Sequence, residues 1–259
     1  MYFLVQSNIY SDPNHNKIFT TLDELKIDYE TIELKSTDES VNIQQDRKDV
    51  FVYGSVKLAR LAKQNTHWYP GSFYGGNHLY EVYSKFYGRH LLNHQTDVFP
   101  FGQQINWVQG EEKFIKPYET AKLFTGKIFN KYEWNDFVEE NTIHPRTPLL
   151  TNTSLMQASA PQHIIKEARL WIIGEQIVHS VYYRFHGDIV HESNVSIDGI
   201  EFAREMISIF NVAEAFVMDI CLTYEGWKIV EINCINSAGF FPNVDVKGLI
   251  KTLNIFFTK

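Results

Sequence analysis

The residues with the clearest chemical potential lie near the C-terminus, in Phe216-Val-Met-Asp219-Ile-Cys-Leu-Thr-Tyr-Glu-Gly226-Trp-Lys-Ile-Val-Glu231-Ile-Asn233. Two apolar runs flank Tyr224-Glu225-Gly226, a three-residue loop whose third position suits a left-handed glycine. Such a loop sets Thr223 opposite Trp227 and places Asp219 directly across from Glu231. Asn233, two residues on, shares their face. Opposed carboxylates repel across strands, and protonating one of them takes a large pKa shift. A hard divalent cation removes the conflict. Magnesium takes oxygen ligands, one or two carboxylates together with phosphate oxygens. Phe216, Met218, Ile220, Leu222, Val230 and Ile232 form the opposite, core-facing side. The alternative is a solvated sheet face with incidental acids, which flanks this apolar disfavour.

A second stretch is basic. Phe114-Ile-Lys116-Pro117, followed by Lys122-Leu-Phe-Thr-Gly126, sets two lysines around a loop between strands. Ammonium groups offset phosphate charge, and a glycine lets backbone approach phosphate closely. Surface lysines are common, so this stretch takes its meaning from the acidic hairpin. A third stretch pairs Ile164–Ile173 with Gln176–Arg184 across Gly174-Glu175, a two-residue turn with glycine first, as type II′ prefers. That pairing puts Glu167, Arg169, Trp171, Ser180, Tyr182 and Arg184 on one face. Ala168, Leu170, Ile172, Ile177, Val181 and Tyr183 take the other. Arg169 and Arg184 could stabilise negative charge on a phosphoryl group or a tetrahedral intermediate. The alternative for Arg169 is a surface pair with Glu167. Cys221 and Cys234 read as small packed side chains, and the ten histidines lack metal-ligand spacing, so thiol or histidine chemistry is disfavoured.

The elements that must position these residues follow from patterning. Met1–Gln6, Tyr29–Leu34 and Asp49–Tyr53 read as strands. A helix starts at Thr21, with Glu24 three residues on as in a capping box. Gly54-Ser55 leads into a helix over Val56–Ala62, and Leu79–Tyr87 is another. Strand–turn–helix repetition indicates a small α/β unit with a parallel sheet. From about residue 95 the character changes to hairpins. Asn135–Asn141 is a short helix, Gly199–Phe210 an amphipathic one and Val244–Phe257 a closing one. The expected architecture is mixed α+β and α/β, with a small N-terminal α/β domain over residues 1–95 and a larger domain with an antiparallel sheet over residues 96–259.

Bulk properties narrow the classes. The chain has 259 residues, 44% of them hydrophobic, with 19 Phe, 14 Tyr and 5 Trp, enough for a sizeable core and against disorder. A net charge of −7 disfavours a broad nucleic-acid face. Two cysteines give no disulfide framework. No apolar run reaches membrane-spanning length, and Met1–Gln6 lacks the basic leader of a signal peptide. A cytoplasmic protein is expected.

Taken together, Phe114-Ile-Lys-Pro117 with Lys122–Gly126, then Ile165-Lys-Glu-Ala-Arg-Leu-Trp171, then Val217-Met-Asp219 with Val230-Glu-Ile-Asn233-Cys-Ile-Asn-Ser-Ala-Gly-Phe240, resemble the ATP-grasp superfamily. The likeness is to its divergent branch of small bacterial and viral proteins, which also holds the eukaryotic cell-division-cycle factor that helps assemble a translation initiation factor. It covers roughly residues 95 to 245 of the chain. The resemblance implies an ATP-grasp fold preceded by a small pre-ATP-grasp domain that helps bind the acceptor. It implies that Lys116 and Lys122 contact ATP phosphates, with Gly126 in the phosphate loop. The segment from Gln157 to Ser159 would pack against adenine. Arg169 would lie near the reacting phosphate, and Asp219, Glu231 and Asn233 would hold magnesium. The implied activity is a ligase that activates a carboxylate as an acyl-phosphate and joins it to an amine on an amino acid, peptide or protein. The alternative is an ATP-binding assembly factor without turnover. This chain departs from the family in its phosphate loop, which has Gly126 alone where a run of glycines is usual.

Overall fold

The computed structural model describes residues 1–9, 12–118, 123–144 and 150–258. By compactness the chain forms two units, residues 1–91 with 164–259, and residues 92–163.

Residues 1–91 contain β1 (Tyr2–Gln6), α1 (Lys17–Leu25), β2 (Tyr29–Ile32), β3 (Val50–Tyr53), α2 (Val56–Ala62) and α3 (Tyr80–Tyr87). The three strands form a parallel sheet in the order β2-β1-β3. Phe3, Val5 and Phe51 point to one apolar cluster and Leu4, Val50 and Val52 to another. Burial on both faces explains why β1 and β3 are continuous apolar runs without alternation. Ser55 caps α2, its Oγ accepting from the Leu58 amide. The expected start of α1 at Thr21 is corrected: the helix begins at Lys17, and Thr21 is buried in its middle. It stops just after Leu25, where Lys26 adopts the left-handed conformation (φ 53°).

Residues 92–163 contain β4 (Asp97–Pro100), β5 (Glu112–Pro117), β6 (Lys127–Asn130), α4 (Lys131–Ile143) and β7 (Leu155–Ser159). The sheet is antiparallel in the order β4-β7-β5-β6. Its core gathers Phe99, Ile115, Phe129, Trp134, Phe137 and Met156. The helix starts four residues before the expected Asn135, because Asn130 and Glu133 form a capping box.

The remaining segment runs through β8 (Ile164–Ile173), β9 (Gln176–Phe185), β10 (Asp188–Ser193), α5 (Ile197–Ile209), β11 (Ala215–Thr223), β12 (Gly226–Asn233) and α6 (Val246–Phe257). Its strands make a five-stranded antiparallel sheet, β10-β9-β8-β11-β12. Leu170, Ile172, Phe216, Met218, Ile220, Ile229 and Ile232 pack with Ala203 and Met206 of α5. Trp171, Ile173 and Val217, on the other face, share a cluster with Phe3, Phe51 and α6 residues Leu249 and Leu253. This shared core makes residues 1–91 one compact body with the second half of the chain, a grouping distinct from the cut expected at residue 95. The three sheets and their helices give a mixed α and β architecture, as the sequence indicates.

The β8–β9 turn is also corrected. Gly174 (φ 57°) and Glu175 (φ 64°) both have positive φ, as type I′ requires, instead of glycine alone. Register shifts follow between Trp171 and Ile172 and between Glu167 and Ala168. As a result Val181 lies opposite Arg169, and Tyr182 lies opposite Ala168 in the apolar cluster. The assignment of Ser180 and Tyr182 to the face of Arg169 therefore fails, because each bulge reverses the alternation beyond it.

Candidate functional site

Asp219 and Glu231 are direct cross-strand partners on β11 and β12, as the sequence argument requires. The route differs. Thr223 pairs with Gly226, so the turn is the two-residue Tyr224-Glu225. A bulge then follows, with Ile220 opposite Ile229 but Asp219 opposite Glu231, leaving Val230 as the extra residue. The shorter turn and the bulge cancel. The bulge also changes the core: Ile229 is fully buried in the apolar cluster and the expected Val230 is not.

Asp219 is only 2% exposed. Arg169, its neighbour across β8 and β11, grips it with a two-pronged contact. Nε donates to Oδ1 at 2.8 Å and a terminal nitrogen donates to Oδ2 at 2.8 Å. The Asn233 amide donates to Asp219 Oδ2 at 3.2 Å and to Glu231 Oε1 at 2.9 Å, tying the two acids together. The other terminal nitrogen of Arg169 donates to the Gly239 carbonyl at 3.4 Å. The guanidinium lies 5.0 Å from the Phe241 ring centre. Phe241 in turn stacks on Tyr183, 5.0 Å between centres. Burial pushes the Asp219 carboxyl up to about 6, against the opposing pull of Arg169. Burial also works against the charge on Arg169, but Asp219 outweighs it and the guanidinium is held more firmly protonated than usual.

This geometry settles which ion pair Arg169 makes. Its partner is Asp219, while Glu167 accepts from the Tyr183 hydroxyl at 2.8 Å and sits 3.9 Å from Arg184. Arg184 is half-exposed. The charge conflict that pointed to a cation is thus met in part by the protein itself. The donor set still fits magnesium: two carboxylates and an amide on adjacent strands match its preference for oxygen ligands completed by phosphate. Asn233 presents its nitrogen to both acids, so it ligates through oxygen only with its amide turned over. Among the described residues no three His, Cys, Asp or Glu side chains gather around one point.

In the unit of residues 92–163, Lys116 pairs with Gln157 and Phe114 with Ser159 across β5 and β7. Their side chains alternate with the core residues Ile115, Met156 and Ala158, so they share the sheet's other face. Gly126 packs against the base of Lys116: a Cβ there would lie 2.7 Å from Lys116 Cβ and 2.8 Å from Phe114 Cζ. Gln157 is 3% exposed, and its Oε1 has no hydrogen-bond partner, leaving a buried acceptor on this face. Ser159 Oγ donates to Asn93 Oδ1 at 3.0 Å. Lys122 lies outside the described residues. Sequence reasoning put Tyr183 on the face opposite Arg169, whereas its hydroxyl reaches Glu167 and its ring stacks on Phe241 beside Arg169, and it did not single out Phe241. A bulge hides the first from alternation, and the second lies one residue past the stretch that carries the resemblance.

Solved structures share the fold at low identity. D-cycloserine synthetase DcsG aligns over 99% of this chain and 100% of its own, with TM-score 0.66 and 11% identity. A D-alanine–D-alanine ligase from Bacillus anthracis aligns over 100% and 94%, with TM-score 0.63 and 12% identity. The ATP-grasp ligase PsnB, solved with a minimal precursor, aligns over 99% and 98%, with TM-score 0.60 and 11% identity. No curated protein matches the sequence significantly. The family described as an ATP-grasp domain, the third family of its clade, matches residues 52–253, most of the chain, and the chain belongs to that family.

Proposed function

We propose that this chain is an ATP-dependent ligase that activates a carboxylate as an acyl-phosphate and joins it to an amine. The observation that carries the reading is the Asp219–Glu231 pair in cross-strand register, joined by Asn233 and backed by Arg169. Asp219, Glu231 and Asn233 would hold magnesium, which when bound neutralises phosphate charge and orients the transferred group. Lys116 and Lys122 would bind the phosphates, with Gly126 permitting close approach. Gln157 offers its unpartnered Oε1 to a hydrogen-bond donor such as an adenine amino group, with Ser159 beside it. Arg169 would stabilise negative charge as the phosphoryl group transfers and the tetrahedral intermediate forms. Arg184 is the second cation proposed for this task, nearer solvent. No protein nucleophile is needed.

The substrates would be an amino acid, a peptide or a protein terminus. Structures of similar fold include a D-alanine–D-alanine ligase, an ATP-grasp ligase complexed with a minimal precursor and a macrocyclase bound with a precursor peptide. Residues 1–95 would serve as the pre-ATP-grasp domain that helps bind the acceptor, with residues 96–259 as the ATP-grasp domain. No helix among the described residues is long and apolar enough to cross a membrane, and we place the reaction in the cytoplasm.

The test is thermal and catalytic. ATP with magnesium raises the melting temperature by mass action on the folded state. Lys116→Ala shrinks that rise, and Asp219→Asn with Glu231→Gln removes its metal dependence. An unchanged shift in Lys116→Ala removes that lysine from the site, and metal-dependent binding that survives the double substitution refutes the hairpin assignment. ADP release that needs both a carboxylate and an amine supports the ligase. Tight ATP binding without turnover supports an assembly factor instead.

A further inference from the structure

We propose that Arg169 bars free divalent cations from Asp219, so that the site's ligand is a cation–nucleotide complex and never the bare cation. The inference deepens the ligase reading and rests on it. Both oxygens of Asp219 are committed to the guanidinium, at 2.8 Å each, and Oδ2 also accepts from Asn233. A bare dication approaching Asp219 meets a fixed positive charge one hydrogen bond away. Asp219 is nearly fully buried, so little water screens that repulsion. Arginine cannot relieve it by losing its proton.

An anionic ligand changes the balance. Phosphate oxygens attract a guanidinium at least as well as a carboxylate does, and in the same forked geometry. Arg169 has a second seat already in place, the Gly239 carbonyl and the face of Phe241, which Tyr183 backs by stacking. It can release Asp219 toward phosphate without losing its position. Asn233 turns in the same exchange, trading two donated hydrogen bonds for an oxygen offered to the metal. Cation and nucleotide therefore load together, each making room for the other.

The experiment is calorimetric titration of the full chain with manganese chloride, alone and with a non-hydrolysable ATP analogue. Wild type takes up manganese measurably only with the nucleotide. Arg169→Met binds manganese alone at least about tenfold more tightly than wild type, the ratio that a modest ion-pair free energy yields. Adding Asp219→Asn to that variant abolishes the gain. Arg169→Gln, which keeps one donor toward Asp219, decides the matter if circular dichroism shows that Arg169→Met does not fold. Equal affinity of the variant and wild type for manganese alone overturns the proposal, as does wild-type binding that the nucleotide leaves unchanged. Failure of wild type to bind manganese and nucleotide together sinks the ligase reading instead, while the nucleotide-free titrations still decide the role of Arg169.

Discussion

Asn236 lies three residues past Asn233 and is completely buried, at 0% exposure. Its amide nitrogen donates to the Val52 carbonyl at 2.7 Å and to the Gly71 carbonyl at 3.1 Å. Its amide oxygen accepts from the Phe73 amide at 2.8 Å and from the Cys234 thiol at 3.3 Å. Its own carbonyl accepts from Gly54 at 2.8 Å. One side chain thus fastens the exit of β12 to β3 and to the segment after Gly71. Asn236→Ala leaves the Phe73 amide short of its partner and removes one from each of two carbonyls. At ~1–3 kcal/mol per buried group left unpaired, the loss is about 3–6 kcal/mol. That is a large part of the ~5–15 kcal/mol typical of a folded protein. At roughly 2–4 °C per kcal/mol for a chain near this size, the melting temperature falls by about 6–24 °C. Asn236→Asp has nearly the same shape but turns two donors into an acceptor facing two carbonyls. It costs at least as much as the alanine variant, measured by denaturant unfolding of both proteins beside wild type. If Asn236→Asp is nearly as stable as wild type while Asn236→Ala is not, packing and not hydrogen bonding holds this junction, and the reasoning fails.

Two further outcomes follow from residues elsewhere in the chain. Burial of His78 lowers its pKa from 6.5 to about 4, so the folded state takes up its proton later than the unfolded chain does. The stability from keeping it neutral is complete above about pH 6.5 and is lost as pH falls toward 4, about 3 kcal/mol in all; His78→Gln flattens this part of the pH–stability profile, and a profile that keeps its slope refutes the assignment. Gly126→Ala drives a methyl into the base of Lys116 and the ring of Phe114, costing about 1–3 kcal/mol as overpacking; calorimetry then shows weaker ATP binding, and unchanged affinity would separate this loop from the nucleotide.

How far the sequence was legible depended on whether alternation survived. The parallel strands β1 and β3 and the long β8, β9, β11 and β12 were readable, because each carries a sustained apolar pattern. β4, β7 and β10 were not. Leu155-Met-Gln-Ala-Ser159 is short and half polar, and β10 carries a register shift against β9 between Ile189 and Glu192. Bulges caused the errors of face. Val178, Val230 and Tyr183 each interrupt the two-residue period, and a bulge leaves no mark in residue type. Of the candidate residues, Asp219 and Glu231 could be assigned to one register, whereas the shared sheet face of Lys116, Gln157 and Ser159 could not be read, because β7 carries too little pattern to show as a strand. The partner of Arg169 could not, since pairing β8 with β11 joins residues fifty apart along the chain.

The Asp219–Arg169 contact changes what the acidic hairpin is evidence for. Two opposed carboxylates alone argue for a cation because nothing else in their stretch of sequence relieves the repulsion. With Arg169 bound to Asp219, part of that repulsion is gone, and the charge argument no longer calls for a metal by itself. What remains is chemical type and register: oxygen donors from Asp219, Glu231 and Asn233 on adjacent strands. Asn233 is the informative member. A hairpin that needed only charge balance would be served by the guanidinium alone, whereas an amide touching both acids can exchange its nitrogen for its oxygen. That exchange would convert a donor that quiets two carboxylates into a third oxygen ligand beside them, as the proposed site requires. Substituting Asn233→Asp therefore separates the two roles. It removes the donated hydrogen bonds and adds a third negative charge, so the protein without metal loses stability, while manganese with nucleotide restores it. A variant that is destabilised equally with and without that complex shows that Asn233 serves the fold alone.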